Sequence, residues 1–205
     1  VRSNASPTPP DEYAAHLTGV VALYGAIDPA RPLHTLPLTH VKAPALTDRD
    51  TLTERNLLTY DGISTTRVGA GDEVQIETLI TTNKLNEAGS PSTAYLQVNT
   101  LLTLMYLRYS YRARIAEKFP RHKLADDGTA FAAGQAVATP RLIRAETVAW
   151  FKDMMTLGLV EGLDQFKADL VVERNLADPN RVDALMSPDL INQLVVSATK
   201  VQFIL

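Results

Sequence analysis

Residues 102–123, LTLMYLRYSYRARIAEKFPRHK, gather positive charge: Arg108, Arg112, Arg114, Lys118, Arg121 and Lys123 stand against a single acid, Glu117. Cations grouped in this way can grip phosphates, lie on an anionic lipid surface, pair with carboxylates inside the fold, or dock on an acidic protein. Other reactive residue types are scattered. His16, His34, His40 and His122 show no HExxH or comparable ligand spacing. GAGDE at 69–73 falls between strand-like runs, not before a helix, and reads as a turn instead of a phosphate loop. ADDG at 125–128 has two acids but no calcium-loop ligand ladder. With no cysteine, thiolate nucleophiles and Cys-based zinc sites are excluded, and no GxSxG or Ser-His-Asp pattern is present. Nucleophile, base and stabiliser never come together, so the sequence predicts no catalytic residue, metal or cofactor.

Composition narrows the classes further. Apolar residues make up 45% and charged residues 21%, an ordinary globular balance. A formal net charge of −3 argues against a dedicated nucleic-acid binder, which carries a domain-wide basic excess. No apolar run approaches the roughly 20 residues needed to cross a bilayer. The opening VRSNASPTPPDEY lacks the apolar core of a signal peptide, and without an initiator Met it reads as part of a longer chain.

Several elements can be read along the chain. SPTPPDEYAAHLTGVVALYG predicts a short helix with prolines in its first turn and Gly25 at its stop. AIDPARPLHTLPLTHVKAPALTD, with four prolines, reads as an extended connector and a domain boundary. Thr51 and Glu54 have capping-box spacing for a helix closed by Asp61 and Gly62. ISTTRVGAGDEVQIETLIT predicts two strands about a turn, with Val74, Ile76, Thr78 and Ile80 on one face. A long helix over about 93–119 ends at Pro120, and Thr139-Pro140 starts another whose buried face holds Ile143, Thr147, Trp150, Phe151 and Met154. DQFKADLVVER alternates like a strand, with Phe166, Ala168, Leu170 and Val172 on one side. The terminal VVSATKVQFIL is β-prone throughout. The pattern predicts an α+β fold: a small, mostly antiparallel sheet covered by two longer helices.

Within the basic helix, Leu101, Leu104, Met105, Ile115 and Phe119 share a stripe with Arg108 and Arg112. A membrane-surface helix segregates its faces, so a lipid role is disfavoured. Nucleic acid is disfavoured because the cations do not form one exposed stripe. Two readings stay open. Arg108 and Arg112 pair with carboxylates such as Asp169 or Glu173 while Arg114 and Lys118 are solvated, or the basic end docks on an acidic protein.

ERNLLTYDGIST (54–65), VNTLLTLMYLRYSYRARIAEKFPRHKLADDG (98–128), VERNLADPNRVDALMSPDLINQL (172–194) and the final VVSATKVQFIL are long stretches, and in them the chain resembles the C-terminal portion of contractile tail sheath proteins, above all those of Mu-like phages and prophages. DPARPLHTLPL (28–38) resembles the family's exit from its larger upstream α/β domain. The resemblance implies a non-enzymatic subunit that polymerises around the inner tail tube and contracts to drive it through the bacterial envelope. Residues 1–46 would end the upstream domain, and 47–205 would form the inner, tube-facing domain. Implied partners are identical subunits exchanging strands, the tube protein, and baseplate and tail terminator proteins, with no nucleic acid or membrane. The implied location is the virion tail, assembled in the host cytoplasm; tailocin and type VI-like sleeves share the same physics. On this resemblance Val195, Val196, Thr199, Val201, Phe203 and Leu205 belong to a donated strand. Arg108, Arg112, Arg114, Lys118, Arg121 and Lys123 become candidates to face the tube.

Overall fold

The computed structural model describes residues 5–202. Packing divides the chain into two compact units: one runs to Leu102 and takes the chain back from Asn192, and the other is Thr103–Ile191.

The first unit opens with α1 (Pro10–Ile27), started by a proline in its first turn and the acids Asp11 and Glu12. The helix passes through Gly25 instead of stopping there, because the next residues keep helical geometry until Asp28 turns extended. Gly25 is needed for close approach: a Cβ there would come within 3.0 Å of Leu102 Cδ1. α2 (Leu52–Tyr60) has the expected capping box, with Glu54 accepting from the Thr51 amide and the Thr51 hydroxyl accepting from the Glu54 amide. β1 (Thr65–Val68) and β2 (Val74–Thr78) form an antiparallel pair about the turn at Gly69–Glu73. Gly71 and Asp72 take positive φ there, which glycine and aspartate tolerate best.

The Pro-rich stretch is not a free linker. Thr35 donates to the Ile76 carbonyl, Ile76 to Leu36 and Leu38 to Val74, so the stretch lies along β2 as an edge. Leu33, Leu38 and Val41 are buried, and Leu38 and Val41 join Tyr13, Val74 and Ile76 in one core cluster. Burying each such side chain contributes about 1.5–3 kcal/mol.

The second unit carries most of α3 (Val98–Lys118), then β3 (Lys123–Leu124) and β4 (Val137–Ala138), α4 (Pro140–Thr156), β5 (Val160–Glu161), α5 (Leu163–Asp169), β6 (Val171–Arg174), β7 (Val182–Leu185) and β8 (Asp189–Leu190). Thr139 caps α4 by accepting from the Leu142 amide, with Pro140 first in the helix. Of the face expected to be buried, Thr147, Trp150, Phe151 and Met154 are, whereas Ile143 is only half-buried.

Two expectations need correction. Residues 163–169 form a helix, not part of a strand, because Phe166 and Leu170 are buried at helical spacing and Ala168 is exposed. Phe166 stacks on Phe151 with ring centroids 3.8 Å apart, and Arg144 donates to the Lys167 and Leu170 carbonyls at the helix end. The α+β class holds, but the strands form four two-stranded pieces instead of one sheet, and the β3–β4 piece is parallel.

Candidate interaction surfaces

The six expected cations separate by environment. Arg114, read as solvated in one alternative, is instead fixed between helices: it donates to Glu146 and, at 3.1 Å, to Asp153, both on α4. Glu146, then Asp153, holds this guanidinium in its charged form above its usual range. Lys123 donates to Gln135 Oε1 at 2.9 Å. Lys118 and Arg121 are exposed and form no ion pair among the described residues.

Arg108 and Arg112 do not meet Asp169 or Glu173, and they too form no ion pair among the described residues. Asp169 accepts from Gln165 instead. The two arginines line an open groove of about 1000 Å³ with Met105, Tyr109, Ile115, Ile143 and, on β7, Val182 and Ala184. Met105 and Tyr109 are 66% and 71% exposed, so this face of α3 lacks cover. Among the described residues β7 pairs only with β6, and none of them pairs along its other edge. The turn joining the two strands is held by Asp183, which accepts from Asn175 and Arg181, each at 2.6 Å. These bonds, Asn175 first, keep the Asp183 carboxyl below its ordinary range.

The C-terminal segment forms no helix or strand from Asn192 to Gln202. Leu194, Val195, Val196 and Val201 are 74%, 54%, 78% and 88% exposed, and Thr199 is exposed as well. Phe203 and Leu205 lie outside the described residues. Apolar β-formers left this bare are unusual on a folded surface.

The residues considered for chemistry have structural uses. Asp126 pairs with Arg174 at 3.0 Å and Asp127 accepts from the Arg141 amide. His16 and His40 stack, with centroids 4.9 Å apart, and His122 meets Phe119 edge-on. Among the described residues no cluster of three or more His, Cys, Asp or Glu is placed to hold a metal ion. No described helix is long and apolar enough to cross a membrane.

With an open-edged ribbon, a bare β-prone tail and an arginine-lined groove described, comparison with known proteins gives the family. Residues 90–204 match the phage tail sheath C-terminal domain, and the chain belongs to that family. It is 45% identical over 203 residues to the Mu-like prophage FluMu tail sheath protein of Haemophilus influenzae, spanning 99% of this chain and 42% of the relative. The chain thus spans about two fifths of that relative's length. Its fold is similar to a chain of the anti-feeding prophage baseplate, with a TM-score of 0.62 at 8% identity over 92% of this chain and 49% of the other. It is also similar to the sheath tail protein of Desulfitobacterium hafniense, with a TM-score of 0.51 at 11% identity over 80% and 37%.

Proposed function

We propose that this chain is part of a structural, non-catalytic subunit of a contractile phage tail sheath, which polymerises around the inner tail tube and contracts to drive it through the bacterial envelope. On this reading residues 1–46 close a larger domain, residues 47–205 form the tube-facing one, and the subunit belongs to the virion tail.

The observation that carries the reading is the coexistence of a donor and an acceptor. Residues 194–202 present exposed apolar side chains with no strand partner of their own, while β7 offers an unpaired edge beside an apolar groove. A two-stranded ribbon is marginal alone and gains from a third strand. A strand added along β7 would be held by backbone hydrogen bonds, and its alternate side chains would set register. Placing the donor on one copy and the acceptor on the next makes a chain of subunits without a closed dimer. Lys118, Arg121 and Lys123 then remain for an acidic tube surface, where each exposed pair contributes roughly 0.2–1 kcal/mol. Many such weak contacts suit a sleeve that must let go of its tube.

The test is a Val196→Asp, Val201→Asp double variant of the intact subunit. Electron microscopy should show loss of sleeve-like polymers while circular dichroism shows an unchanged fold. Sleeves of normal length from the variant would overturn the strand-donation reading.

A further inference from the structure

The groove on α3 calls for something that a donated C-terminal strand does not bring. Arg108 and Arg112 flank Met105 and Tyr109 there without any carboxylate among the described residues. Residues 191–202 contain no acid, only Lys200. Covering two guanidinium groups without an anion is strongly unfavourable. The occupant must therefore present apolar surface and carboxylates together.

On the described surface of this chain that combination occurs at the end of α2. Leu57 and Tyr60 are 60% and 80% exposed on one face of the helix. Beside them projects a tight finger, residues 84–92: Ser92 donates to the Lys84 carbonyl, Asn86 to Ser90, and Leu85 bridges Pro91. The Asn86 side chain accepts from the Ala88 and Ser90 amides and stiffens the tip. Lys84 Nζ donates to the Tyr60 carbonyl at 2.8 Å, which anchors the finger to α2. Leu85 is 55% exposed, Glu87 at the tip forms no ion pair among the described residues, and Asp61 is held only loosely by Lys84 at 4.0 Å. At two other exposed apolar sites the acids alongside are already engaged. Near Leu23 and Ile27 on α1, Asp28 is turned onto the Ala30 and Arg31 amides. Leu176 sits by Asp178, which accepts from the Asn180 amide in a turn that also carries Arg174 and Arg181.

We propose that this knob, carrying Tyr60, Leu85 and Glu87, seats in the groove of a second copy, against Met105, Arg108 and Arg112. The inference rests on the reading that copies of this chain assemble, and adds a contact separate from strand donation. Knob and groove are different surfaces, so the contact repeats head to tail and builds a ring or a helix instead of a two-fold pair. Tyrosine and arginine are the residue types that dominate such interfaces, and the charge match fixes which surface is chosen.

Residues 1–205 hold no cysteine, so single-cysteine variants of the intact subunit, with any cysteine outside these residues first replaced by serine, report contacts cleanly. Leu85→Cys and Tyr109→Cys proteins are mixed and oxidised, and linked peptides are identified by mass. A parallel mixture of Val196→Cys and Leu185→Cys reports strand donation onto β7. The expected result is an 85–109 disulfide that forms only in the mixture. It should be lost when the groove partner carries Arg108→Glu and Arg112→Glu, and recovered when the knob partner also carries Asp61→Lys and Glu87→Lys. A 196–185 link without an 85–109 link overturns the knob contact and leaves strand donation standing. The converse result supports the knob and counts against the donated strand, and absence of both links overturns both. An 85–109 link insensitive to charge reversal, or a 109–109 link from Tyr109→Cys alone, also overturns it.

Discussion

The guanidinium of Arg114 ties α3 to α4 by donating to two carboxylates, Glu146 and Asp153. Its side chain is 27% exposed, so solvent weakens the pair without abolishing it. Arg114→Ala should lower stability by about 1–2 kcal/mol in urea unfolding, with a smaller loss at high salt. Asp183 makes a prediction about pH. Its carboxyl is lowered by bonds from Asn175 and Arg181, so the charged form is favoured in the folded ribbon. That contribution is complete above the ordinary carboxylate range and disappears as pH falls through the lowered one. Amide protection factors across β6 and β7, taken relative to the intrinsic exchange rate at each pH, should fall on acidification through that window, and Asp183→Asn should remove this pH dependence. Arg108 and Arg112 share a helix and a charge with Arg114, yet neither pairs with an acid among the described residues. A side chain's role here depends on what lies opposite, not on its type.

At the scale of elements, two glycines of α1 make opposite predictions from one sequence context. Gly19 has nothing within 4 Å of where its Cβ would stand, so Gly19→Ala should stabilise by up to about 1 kcal/mol through helix propensity alone. Gly25 faces Leu102 at 3.0 Å, and Gly25→Val should destabilise by overpacking. Thermal unfolding of both variants checks the pair. Much of the element order was legible because its signals are local: the capping box at Thr51, the Thr139-Pro140 start and the β1–β2 alternation need only near neighbours. α5 was not legible. Phe166 and Leu170 fit a period of two or of four, and the stacking of Phe166 on Phe151 settles it.

For the whole molecule, the proposed roles divide the basic residues between two partners. Lys118 and Arg121 are available to an acidic tube surface, whereas Arg108 and Arg112 belong to the groove. Lys118→Glu with Arg121→Glu should therefore leave the polymer intact but weaken its hold on the tube. Co-sedimentation of sleeve with tube across a salt series measures this; unchanged co-sedimentation at raised salt would count against a tube-facing role. The variant should also differ from Arg108→Glu with Arg112→Glu, which is expected to disturb contacts between sheath copies.

Sequence alone determined the family, the α+β class, the main caps and the β-prone tail, since each is written in contiguous residues or in long matching stretches. The chain's folding in space decided the rest. Arg114 finds its carboxylates 32 and 39 residues away, and the Pro-rich stretch becomes an edge of β2 only by meeting Val74 and Ile76. Charge and hydrophobicity belong to residues, but pairing and burial depend on which distant segments pack together, and only the packed chain fixes that.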